Sequence, residues 1–191
     1  MMIVVDKSKA IFISFLSLLL FLSFIFDEVF SNLLSPMGVR FFIVQTIFFT
    51  CSLSVPFGVM LLFAFFTGLT WDSIHMAIDV GSDVAFGYSI FLFFVTGSIM
   101  QGMAPFFSRG RWEAPIILVG VSTLIFFLIE WFFISFARAQ FIFPDNFWRD
   151  IWVSVFFGMV VSPFFFYIIL QISKLSGCPI VAVGGRTEDY Q

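Results

Sequence analysis

Charged side chains are scarce in this sequence. Asp, Glu, Lys and Arg supply 11% of its 191 residues, against about 25% in an ordinary soluble domain. With 61% hydrophobic residues and a mean hydropathy of +1.10, that shortage excludes a water-soluble globular domain. There is one histidine, His75, and there are two cysteines, Cys51 inside an apolar run and Cys178 near the C-terminus. They show no metal-type Cys/His spacing, and the two cysteines are not expected to pair. Basic residues nowhere interleave with aromatics in a run, so nothing points to nucleic acid. A Walker loop, an H-E-x-x-H helix and a G-x-S-x-G elbow are all missing, so no catalytic, cofactor-binding or metal-ligating residue is nominated and no enzyme is expected. Short segments of alternating polarity, the mark of a transmembrane barrel, are missing too. The first apolar run lacks an A-x-A-like cleavage site and is followed by Asp27-Glu28, so it is read as a retained helix.

What remains is a succession of long apolar runs, which predicts an all-α, polytopic transmembrane bundle of about six spans. The spans are placed at about 10–26, 39–53, 56–71, 84–103, 116–137 and 151–172, in a single domain covering 1–175 with a tail over 176–191. The 33 phenylalanines are read as lipid-facing bulk. From Phe41 to Trp71 there is no charge at all. One helix of that length would be roughly 45 Å long, against a hydrocarbon core of about 30 Å. Ser52-Leu-Ser-Val-Pro56 offers a break, so two short helices are expected, with a buried hairpin that does not fully cross as the alternative. With a cytoplasmic N-terminus, Lys7, Lys9, Arg109, Arg111, Lys174 and Arg186 share the cytoplasmic side. Arg40, Arg138 and Arg149 then lie opposite with most carboxylates, so both termini are expected in the cytoplasm.

Polar residues that are not simple punctuation concentrate after Pro56. The apolar run ends at Gly68-Leu-Thr-Trp-Asp72, where an acidic, Gly-punctuated connector with His75, Asp79, Gly81 and Asp83 is expected. On a helix Asp72, His75 and Asp79 would share a face, although Gly81 argues against a helix through the whole cluster. The plain reading is that these residues cap helix ends and solvate an exterior loop. Asp72, at the bilayer edge, is expected to have a partner, and with Gly68 to form a structural pivot. Glu130 is the most deeply placed ionisable residue, either pairing with Arg138 or another helix end, or simply reaching water, or else serving protons, ions or a partner helix. Arg109 and Arg111, beside Trp112, form a basic turn whose default partners are anionic lipid headgroups. Trp148 lies in an interfacial Phe-Trp pair, and Pro163 sits within the last span. Most of Gly68, Gly87, Gly97, Gly102, Gly120 and Gly158 are expected to let helices pack closely.

These features together resemble the rod shape-determining protein MreD family. The resemblance rests on a paired short second and third helix, Gly68-x-x-x-Asp72 followed by Gly81, an Arg-bearing cytoplasmic turn, Phe147-Trp148, and Gly158 and Pro163 in the final span. It covers roughly Ala10 to Lys174, through short, degenerate motifs. The connector SIHMAIDV is longer and more acidic than the family's pattern. The resemblance implies a non-enzymatic subunit of the bacterial inner membrane, in the cell-elongation machinery that supports peptidoglycan synthesis and cell shape. It would bind the scaffold protein MreC and so join MreB to RodA and its penicillin-binding transpeptidase. It also implies a fold like the substrate-binding subunits of energy-coupling-factor transporters, which makes a vitamin-type transport subunit the alternative function.

Overall fold

The computed structural model describes residues 7–34, 42–78, 86–107, 113–137 and 146–177. They form six helices: α1 (Lys7–Leu34), α2 (Ile43–Ser52), α3 (Phe57–Ile78), α4 (Tyr88–Phe107), α5 (Glu113–Ala137) and α6 (Phe147–Ser176). Four apolar stretches are long enough to cross a membrane, namely Lys7–Phe30, Phe57–Ile74, Pro115–Phe136 and Phe147–Ser176. The all-helical architecture expected from composition is therefore present among the described residues, with four helices that could cross a membrane.

α2 occupies the centre. Its ten residues are all buried, and it touches each of the other five helices. At about 1.5 Å per residue it is only about 15 Å long, half a bilayer core. α3, with 22 residues, is about 33 Å long. The expectation of two short helices is thus corrected: a half-length central helix leads into a full-length one. α3 does not stop at Trp71, because Asp72 and His75 are accommodated in a helix that continues to Ile78. Likewise Asp27 and Glu28 do not close the first helix, which runs on to Leu34. The last helix also exceeds the expected span of 151–172, starting at Phe147 and ending when Gly177 turns left-handed at φ 65°.

The α2–α3 turn is irregular backbone inside the bundle, and every residue from Ser52 to Val55 is buried. Such a turn needs its polar groups satisfied by protein. Gln101, from α4, contributes two of these bonds, donating from Nε2 to the carbonyls of Ser52 at 2.7 Å and Val55 at 2.8 Å, and the N–H of Ser54 donates to the carbonyl of Cys51 at 2.9 Å. Pro56 then opens α3, its carbonyl accepting from the N–H groups of Val59 and Met60.

Ring contacts fix the antiparallel order. Phe42 meets Trp71 of α3 and Phe127 of α5, with centroids 5.9 and 4.6 Å apart. Phe48 meets Phe93 of α4 at 5.0 Å, and Trp131 of α5 meets Phe147 of α6 at 5.7 Å. Small residues let the backbones close in. A Cβ at Gly158 would lie 3.3 Å from the Thr46 hydroxyl and 3.6 Å from that of Thr123, so α2, α5 and α6 cross at this glycine. Pro163 stays inside α6. Proline cannot donate to the carbonyl of Met159, and the hydroxyl of Ser162 donates to it instead at 3.3 Å.

Candidate functional site

Two carboxylates organise one end of the bundle in the same way. Asp27, near the end of α1, accepts from the N–H of Ile43 at 2.9 Å, with the N–H of Val44 also directed at it. Asp72, near the end of α3, accepts from the N–H of Gly87 at 2.7 Å. Each acid therefore caps the helix that follows its own, completing the first turn and meeting the positive end of its dipole. Gly87 is the N-cap of α4 and holds φ 96°, a conformation that favours glycine. Asp72, though 7% exposed, is thus a helix cap turned into the fold.

Four residues below Asp72 on the same helix, Gly68 packs directly on α4. A Cβ there would overlap the Cα and N of Ile90 and come within 2.9 Å of the carbonyl carbon of Ser89. Gly68 and Asp72 both link α3 to α4: the glycine sets the approach and the carboxylate bonds the N–H of Gly87. Glu130, on α5, is half-buried and lies one turn before Phe133, and Tyr88 starts α4 beside the Gly87 cap. Tyr88 also packs edge-on against Phe133, with centroids 5.4 Å apart. The structure thus draws Asp72, Gly87, Tyr88 and Glu130 toward one end of the α3–α4–α5 contact.

Trp148 is exposed at the start of α6, where it packs against Phe147. Beside it Arg149 and Asp150 form an exposed ion pair of 3.5 Å, a geometry that contributes little stability. Gly81, Asp79, Asp83, Arg109, Arg111 and Arg138 lie outside the described residues. The backbone of His75 belongs to α3. Among the described residues no group of His, Cys, Asp and Glu is arranged to hold a metal ion.

The outer side of the α3–α4 joint is an open groove of about 390 Å³. It is lined by Leu61, Ala64 and Phe65 of α3 and by Gly87, Ile90, Phe91 and Phe94 at and beyond the start of α4. Its rims are exposed aromatic rings, and Leu62 and Phe66 extend the apolar surface beside it. Sequence reasoning did not single out Asp27 or Gln101. Asp27 reads as a charge at the end of a span, and Gln101 as one polar residue in an apolar helix; neither has a local partner that would reveal it.

Comparison with family models, with curated proteins and with solved structures returns no match.

Proposed function

We propose that the chain is a non-catalytic, multi-pass subunit of a bacterial cell-elongation complex, and that its α3–α4 face receives the membrane helix of an MreC-like scaffold protein. The observation that carries the docking surface is the apolar groove over the Gly68–Ile90 contact. Helices associate in lipid through close van der Waals packing, and Ala64 and Gly87 keep the groove shallow enough for a second backbone to approach. The bundle behind it is held rigid by the caps at Asp27 and Asp72 and by the Gln101 bonds at the central turn. The sequence resemblance supplies the partner and its setting: the inner membrane, with both termini cytoplasmic, and MreB, RodA and the transpeptidase reached through the scaffold.

The transport-subunit reading, with an energy-coupling-factor type of fold, draws on the placement of Asp72, Tyr88 and Glu130 toward one end of the bundle, through the Asp72–Gly87 bond and the Tyr88–Phe133 contact. Against it, Asp72 is committed to capping α4, and the described groove is walled by apolar side chains.

Photo-crosslinking in native membranes tests the proposal. A photoreactive phenylalanine analogue at Phe65 or Phe91, in the groove, is expected to capture the MreC-like protein. The same group at Phe164 or Tyr167, on the exposed face of α6, is expected not to. Equal capture from both faces, or capture of a transporter coupling subunit from the groove, contradicts it.

A further inference from the structure

Two buried polar side chains at the heart of the bundle have unmet hydrogen-bonding capacity. Gln45 of α2 is 0% exposed, and neither its Nε2 nor its Oε1 has a partner within the protein. Thr67 of α3 is 2% exposed, and its Oγ1 is also unpartnered. Most buried hydroxyls in this bundle behave otherwise. Thr50, Thr96 and Thr123 each donate to a carbonyl one turn back in their own helix, and Ser54 in the turn donates to the carbonyl of Thr50.

The register of α2 against α3 brings the two residues to the same level. Gln45 lies one turn along α2 from Phe42, and Thr67 lies one turn along α3 from Trp71, and those two rings meet at 5.9 Å. On the far side, Phe48 and Met60 converge at Gly97 of α4, where a Cβ would be 3.1 and 2.8 Å from them. Gln45 and Thr67 are therefore bracketed between two apolar layers, with the ring of Phe93, 6.3 Å from Trp71 and 5.0 Å from Phe48, alongside.

We infer that Gln45 and Thr67 form an internal hydrogen-bonding site, between α2 and α3, that holds a bound water molecule. A carboxamide offers two donors and an acceptor, and a hydroxyl offers one donor and two acceptor positions, so the pair supplies the two to four contacts a buried water requires. Both residues are neutral, so the site offers no opposite charge to an ion. The water ties the half-length central helix to its full-length neighbour at a level where neither side chain finds a partner of its own.

The test uses the purified full-length protein in detergent. With glutamine side-chain amides ¹⁵N-labelled, the Gln45 signal is assigned by its loss in Gln45→Met. The expected result is a carboxamide shielded from bulk solvent that shows a nuclear Overhauser cross-peak to water and shifts in Thr67→Val. Thr67→Val is also expected to melt several degrees below the parent protein, and this arm stands even if Gln45→Met does not fold. A shielded carboxamide without a water cross-peak overturns the inference, and so does a Thr67→Val protein that melts at or above the parent temperature.

Discussion

Gly68→Ala adds one methyl group at the joint between α3 and α4, and the structure sets its cost. Non-bonded carbons settle about 3.5–4.0 Å apart. The new Cβ would overlap the backbone of Ile90 and lie 2.9 Å from the carbonyl carbon of Ser89. Backbone cannot rotate aside as a side chain can, so the helices must part by about 1 Å or more. Overpacking of this kind costs about 1–3 kcal/mol. Separation also strains the Asp72–Gly87 hydrogen bond, which holds the same two helices at 2.7 Å. A loss of about 3 kcal/mol is expected, at the upper end of that range. At roughly 2–4 °C per kcal/mol for a chain of this size, the midpoint should fall by about 6–12 °C. Gly102→Ala, in α4, is the internal control, because a Cβ there meets nothing within 4 Å. Alanine is favoured over glycine in a helix by about 0.8–1.0 kcal/mol, so that variant should melt at or slightly above the parent temperature. Thermal unfolding of the purified protein in mild detergent, followed by tryptophan fluorescence, reads both. A Gly68→Ala protein that melts with Gly102→Ala would refute the joint.

The two caps should be of similar strength: Asp27→Ala and Asp72→Ala are each expected to lose about 0.5–2 kcal/mol in the same assay, and a neutral result at either would mean that the carboxylate does not hold its helix. Gln101→Leu strands the carbonyls of Ser52 and Val55 inside the bundle and should cost about 1–3 kcal/mol or more, read as a lower midpoint or reduced folded yield. Ser162→Ala should cost about 1 kcal/mol in the parent protein but little in a Pro163→Ala background, where the restored N–H can bond Met159, and equal costs in the two backgrounds would contradict that pairing.

How much of this was legible in the sequence depends on the range of the interaction. The helices and their lipid setting follow from long apolar runs, a local property read without reference to the fold. Asp72 and Gly68 stood out because a charge and a glycine one turn apart at a bilayer edge are unusual in themselves. The end of a span, however, is not the end of a helix. Asp27 and Asp72 looked like terminators because hydropathy falls there, yet α1 and α3 continue beyond both. Each carboxylate serves the following helix, a contact across a connector that no local pattern carries. The half-length of α2 was open for the same reason. Its burial on every side depends on five neighbours that a hydropathy profile cannot arrange, and Gln101 reaches the central turn from α4.

Affinity purification of the tagged protein from its native membranes in mild detergent, with co-purifying proteins identified by mass spectrometry, tests the proposed function most directly. An MreC-like scaffold protein together with cell-wall synthases should co-purify, and both should be lost in a variant with a bulky substitution at a half-buried position of the groove, such as Leu61→Trp. Recovery of a transmembrane coupling subunit with paired ATPases would contradict it.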